Sequence, residues 1–162
     1  MAKGEPRILI IYYSKTGNTE KMARYVEEGV EEGGVAVEVK KVENTQLEDL
    51  LKVDGIIVGS PTYYGQMSGE LKRFFDESVK YHGKLEGKVG AAFASSGVLG
   101  GGNETTVLSI LTALLIHGML VQGDPRGGHY GSVSIRKPDK KQAEECKRLG
   151  QRTAKLVKRL SR

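Results

Sequence analysis

At 162 residues with 38% apolar side chains, the chain is long enough to bury one core and short for two ordinary domains, so one domain over 1–162 is expected. The net charge of +5 is lopsided: residues 1–135 carry 14 basic and 17 acidic side chains, residues 136–162 carry 11 basic and 3 acidic. No run reaches the roughly 18 apolar residues of a membrane span, no aromatic residue interleaves with the C-terminal cations as nucleic-acid stacking requires, and a lone cysteine excludes an intramolecular disulfide and multi-cysteine metal sites.

In chain order, Ile8 to Tyr13 is an unbroken apolar run, the pattern of a strand buried on both faces. Thr19 to Glu32 follows as a helix with Met22, Ala23, Val26 and Val30 on one face, stopped by Gly33 and Gly34. Val35, Val37 and Val39 alternate as a second strand, Gln46 to Leu51 reads as a short helix, and Ile56 to Val58 is a third strand ending at Gly59 and Ser60. Gly69 to Val79 is helical. Val89 to Ala94 is a fourth strand, followed by a glycine-rich loop, Ser95 to Gly102, and a helix from Asn103 and Glu104 to His117, where Gly118 stops it. Met119 to Gln122 is a fifth strand, Gly123 to Gly131 a glycine-rich loop, and Val133 to Ile135 a short strand; Pro138 opens the last helix. In that helix Ala143, Cys146, Leu149, Gly150, Thr153, Val157 and Leu160 form a core-facing stripe with Lys and Arg between them. Its basic face is either simply solvated or a docking patch for an acidic partner, and Cys146 is a buried structural thiol.

Five strands alternating with helices predict a doubly wound α/β fold, a five-stranded parallel sheet of order 2-1-3-4-5 between two helical layers. Ligands in such folds bind where the strand order reverses, between the loops after strands one and three. Those loops are Ser14 to Thr19 and Pro61 to Gly69, and the loop Ser95 to Gly102 ends at the same edge.

S-K-T-G-N-T, at 14–19, is either a tight turn capped by Asn18 or Thr19 or a phosphate cradle at a helix N-terminus. Four polar side chains in six residues exceed the need of one cap, and Gly17 allows close approach of a ligand. The spacing is neither Walker A nor G-x-G-x-x-G. An acidic phospho-acceptor site after strand three, a phosphatase cysteine in the first loop and a G-x-S-x-G elbow are all missing. Tyr63 and Tyr64 offer a platform for a flat ring. A phosphate site beside an aromatic platform suits flavin mononucleotide better than a magnesium-bound nucleotide.

With the stretches S-K-T-G-N-T, G-S-P-T-Y-Y-G-Q-M-S-G-E-L-K-R-F-F-D, F-A-S-S-G-V-L-G-G-G-N-E-T-T-V-L and I-H-G-M, the chain resembles the flavodoxin-like NAD(P)H:quinone oxidoreductases of the tryptophan-repressor-binding-protein type along essentially its whole length. The resemblance implies a flavodoxin-like fold and FMN, with phosphate contacts from Ser14, Lys15, Thr16, Gly17, Asn18 and Thr19. It implies ring contacts from Thr62, Tyr63 and Tyr64, flanked by Pro61 and Gly65, and a third flavin loop of Ser95, Ser96, Gly97, Val98, Leu99 and Gly100. It further implies hydride transfer from NAD(P)H, a quinone acceptor and a homo-oligomer, dimer or tetramer; a cytoplasmic location is expected from the N-terminus M-A-K-G-E-P, which has no apolar h-region, and the lone cysteine. The chain departs from that family in lacking insertions after strand two and after Gln122. Ile116 stands where the family carries a flavin-contacting histidine, and tryptophan is absent. His117 is expected as a helix cap, and His129, on its glycine loop, is the candidate catalytic residue. The expected activity is quinone reduction; a flavodoxin-type electron carrier with protein redox partners and a non-redox interaction protein are the alternatives.

Overall fold

The computed structural model describes residues 4–161. One parallel sheet carries strands β1 (Arg7–Tyr12), β2 (Ala36–Lys41), β3 (Gly55–Pro61), β4 (Val89–Ser96), β5 (Leu120–Val121) and β6 (Ser132–Ile135). Its order is β2-β1-β3-β4-β5, with β6 also paired to β4. Helices α1 (Asn18–Glu32), α2 (Gly69–Glu77) and α3 (Asn103–Ile116) lie in crossovers between strands, and α4 (Lys140–Leu160) follows the last strand.

The alternation of side chains along β1 divides the core. Ile8, Ile10 and Tyr12 point to one face and pack with Met22, Val26, Cys146 and Val157 of α1 and α4. Leu9 and Ile11 point to the other and pack with Leu71, Phe74, Ile110 and Leu114 of α2 and α3. The doubly buried strand is thus the physical reason for the continuous apolar run. Helices α1 and α4 touch at backbone distance: a Cβ on Gly150 would lie 2.2 Å from the carbonyl oxygen of Val26. Burial pushes the Cys146 thiol up to about 12, which keeps it neutral in the core.

Several boundaries differ from the sequence expectation. The fifth position of the sheet is filled by two segments: β5 pairs only with Val89 and Gly90, and β6 pairs with Phe93 to Ser96. Of the expected fifth strand, Met119 to Gln122, only Leu120 and Val121 are in β5; Met119 precedes it and Gln122 leads into the expected glycine-rich loop. The expected helix 46–51 is a 3₁₀ turn, Leu47–Lys52, with a capping box between Gln46 and Asp49. The expected helix 69–79 ends at Glu77 and continues as a 3₁₀ turn, Ser78–Tyr81. The third and fourth strands run further than expected, to Pro61 and Ser96, so Ser95 and Ser96 are strand-end residues rather than loop residues. The last helix begins after Asp139, whose side chain caps it, rather than at Pro138.

Candidate functional site

The carboxyl ends of β1, β3 and β4 deliver three loops to one crevice. The first loop enters α1 through Gly17, which is left-handed (φ 97°) where a helix cap is ordinarily extended. No side chain caps α1, so neither Asn18 nor Thr19 has the expected capping role. Ser14 Oγ instead accepts from Gly17 N–H at 3.1 Å and tightens the turn. Among the described residues, the N–H groups of Lys15, Thr16, Asn18, Thr19 and Glu20 have no protein acceptor. A row of free donors at the positive end of a 15-residue helix has the chemistry that suits an oxyanion. Glu20, the one acid in the first turn, faces the buried Tyr12 phenol, whose proton is held up to about 12 by burial and then by this carboxylate.

The second loop folds back on itself. Tyr63 and Gln66 exchange N–H···O bonds at 3.0 and 3.1 Å around Tyr64 and Gly65, whose φ values are 50° and 76°. Two positive φ angles in a two-residue loop are the mark of a type I′ hairpin turn, which favours Asn or Gly at the position Tyr64 occupies. Tyr64 is thereby fully exposed at the tip, and Tyr63 beside it is exposed to a lesser extent. Burial, followed by the Glu70 carboxylate, raises the Tyr63 phenol, and the same two causes raise Tyr13.

Hydrogen bonds between the loops fix the crevice. Thr19 Oγ1 and Ser95 Oγ are 2.9 Å apart in a buried pair that joins the first loop to the third. Thr62 N–H donates to Ser95 O at 2.8 Å and joins the second to the third. Thr106, in the first turn of α3, donates to Thr62 Oγ1 at 3.0 Å, and Asn103 Nδ2 donates to Ser96 Oγ at 3.0 Å. The second and third loops also meet at Gly65 and Gly102, where a Cβ on Gly102 would lie 2.9 Å from Gly65 Cα. Gly97, Val98, Leu99 and Gly100 are exposed, so Val98 and Leu99 present apolar side chains to solvent.

All seventeen residues expected at the cofactor therefore lie on these three loops, the strand ends that feed them or, for Asn18 and Thr19, the first turn of α1. The sequence reading missed Tyr13, Glu70, Asn103, Thr106 and Arg136. Thr106 carried a usable signal, since N-E-T-T places two hydroxyls in the first turn of a helix that opens at the crevice. Arg136 carried none: it reaches the site only because β6 ends beside Ser96, from where its Nε donates to Gly97 O at 3.1 Å.

Neither histidine belongs to the crevice. The loop bearing His129 leaves the sheet beside Gly90 and returns beside Phe93, and it is pinned to α4 through Asp124 and Arg148 at 2.7 Å. The His129 ring bonds Asp124 O within the same loop. His117 does follow the last turn of α3, as expected of a cap, but its ring is buried with Nε2 at 2.8 Å from Ser78 Oγ. That places it about 20 Å of helix away from the α3 N-terminus. Burial, followed by His82, lowers its pKa, so the ring is neutral.

Comparison with known proteins gives consistent matches. The flavodoxin domain model matches residues 9–110. A flavodoxin of Aquifex aeolicus is 44% identical over 160 residues, covering 93% of this chain and 86% of the relative. An Archaeoglobus fulgidus protein named NAD(P)H dehydrogenase (quinone) is 37% identical over 188 residues, covering 95% and 98%. A solved flavodoxin from the domain Archaea superposes with a TM-score of 0.79 at 34% identity, covering 94% of this chain and 99% of that one. No helix among the described residues is long and apolar enough to cross a membrane.

Proposed function

The chain belongs to the flavodoxin domain family, and from that premise we propose that it binds FMN in the three-loop crevice and uses it to pass two electrons from NAD(P)H to a quinone or similar acceptor. The observation that carries the cofactor assignment is the row of unpartnered N–H groups at the start of α1, tied by the Thr19–Ser95 pair to the loops that would hold the ring. Lys15 to Glu20 would bind the phosphate through those donors, with Thr16 and Asn18 adding side-chain contacts. Tyr63 and Tyr64 would flank the ring on one side, and the backbone from Ser95 to Gly100 would line the other. When bound, FMN supplies the redox chemistry, and the chain supplies binding and orientation.

NAD(P)H:quinone reduction is supported by relatives such as the Archaeoglobus fulgidus protein. A specific observation favours a second reading, an electron carrier that docks on protein partners. The 160-residue alignment with the Aquifex aeolicus flavodoxin spans 93% of this chain and needs few positions that the chain lacks, whereas the 188-residue alignment with the quinone dehydrogenase spans 95% and needs many more. We place either activity in the cytoplasm, in a homodimer or tetramer.

Titration of the apoprotein with FMN tests the cofactor: binding is read from the flavin band near roughly 450 nm and quenched flavin fluorescence. Stopped-flow mixing with NADH or NADPH then separates the two readings. Rapid, saturating bleaching followed by recovery on adding a quinone supports the enzyme; bleaching by dithionite alone supports the carrier. Failure to bind FMN removes both.

A further inference from the structure

Arg148, Arg152, Lys155 and Arg159 follow one another along α4 at intervals of four, three and four residues, so the helix presents them on one face. The 122–131 loop brings Arg126 opposite that face, and the two walls enclose a pocket of about 280 Å³. Among the described residues, no carboxylate lines it.

Behind the pocket, Asp124 serves three guanidiniums. Its carboxylate lies 2.7 Å from Arg148 Nε, 3.7 Å from Arg152 Nε and 4.0 Å from Arg126 Nε. Burial alone would raise the Asp124 pKa; the Arg126 N–H and the Arg148 guanidinium instead hold it below the usual range. Arg148 also donates to Gly127 O, and Arg152 to Gly123 O. These bonds fix both guanidiniums, with side chains only 28% and 20% exposed. Among the described residues, the ion pairs of α4 join Lys147 to Glu28 and Arg148 and Arg152 to Asp124, and Lys155 and Arg159 pair with no carboxylate.

Attraction to the helix C-terminus accounts for Lys158 and Arg159. It does not account for Arg148 and Arg152, two to three turns upstream, or for the second wall supplied by Arg126. Five cations with one carboxylate between them repel one another unless an anion sits among them.

We propose that this pocket binds a soluble ligand through a phosphate or diphosphate group. The guanidinium N–H groups not spent on Asp124 and the loop carbonyls donate charge-assisted bonds to phosphate oxygens, and a flexible lysine adds a point charge. The two-walled shape favours a compact group over a flat macromolecular surface. The site is separate from the three-loop crevice: Val157, in the same stretch of α4, abuts Gly55 at the start of β3, whereas the crevice lies at the strands' carboxyl ends.

The test is calorimetric titration of the FMN-saturated protein with inorganic pyrophosphate, repeated on Lys155→Glu/Arg159→Glu. One saturable site is expected, weakened about tenfold or more by the charge reversal, with unchanged FMN affinity and melting temperature. Titration of Thr16→Glu without FMN, its phosphate cradle blocked, retains the site. Absence of saturable binding, or equal binding by the charge-reversed variant, overturns the proposal. So does capture of anionic vesicles or single-stranded DNA by a protein that ignores pyrophosphate.

Discussion

Replacing Thr16 with glutamate separates a phosphate cradle from an ordinary turn. Thr16 is exposed, and its N–H is one of the free donors ahead of α1. A carboxylate about 4 Å from a bound phosphate is repelled by about 1 kcal/mol per unit charge in water-like surroundings and about 4 kcal/mol at an effective dielectric of 20. The phosphate carries nearly two charges and the loop is open, so the lower half of that range applies, about 2–4 kcal/mol. FMN affinity should therefore fall roughly 30- to 1,000-fold. Riboflavin carries the same ring without the phosphate, so its affinity should stay within about twofold; fluorescence-quenching titrations of both ligands measure the difference. The truncation Thr16→Ala loses only a hydroxyl, about 1 kcal/mol. An unchanged FMN affinity would refute the cradle, and an equal loss for FMN and riboflavin would show that the substitution deforms the crevice instead.

Tyr64→Gly should move stability and binding in opposite directions. Releasing a side chain from the left-handed region stabilises the fold by about 1 kcal/mol, seen in a urea midpoint, while losing a stacking surface weakens FMN binding by about 0.5–1.5 kcal/mol. Gly150→Ala drives a methyl into the Val26 carbonyl and should destabilise by about 1–3 kcal/mol, with FMN affinity at saturating folded protein unchanged. Burial would raise the Asp49 carboxyl, but Lys40 at 2.9 Å, Lys52 at 3.0 Å and the Gln46 N–H hold it at about 2. Its contribution is thus present above the unfolded value near 4 and is lost as pH falls through about 2. Acid unfolding followed by circular dichroism should accordingly show a shallower loss between pH 4 and 2 in Asp49→Asn than in the parent. His129→Ala, remote from the crevice, should change FMN binding by no more than about 0.5 kcal/mol.

The sheet order was legible because each strand's apolar run and each glycine stop are local features. The divided fifth position was not. Met119 to Gln122 has strand-like residues, but only Leu120 and Val121 pair, because Ser132 to Ile135 takes the ladder positions beside Phe93 to Ser96. That competition is between segments distant in sequence, and periodicity carries no record of it. The loops of the site were legible in residue type but not in connection. Thr19 and Ser95 are 76 residues apart, and nothing in either segment reveals that their hydroxyls meet. His117 was legible in position but not in contact: the H-G step marks the helix end, as expected of a cap, and nothing near it in sequence reveals that the ring is buried against Ser78.

The crevice is also where the chain departs from what folding alone favours. A serine or asparagine in extended conformation would cap α1, yet the position holds a left-handed glycine and leaves a row of donors open. Asparagine or glycine would make the turn at position 64 without strain, yet a tyrosine stands there, left-handed and fully exposed. Neither departure improves packing, since a Cβ at Gly17 would meet nothing within 4 Å and Tyr64 covers no core residue. Strain and unsatisfied polar groups persist where a ligand repays them. Their meeting across the Thr19–Ser95 pair calls for a single ligand with an anionic end and a flat end, a demand that a structural turn does not make.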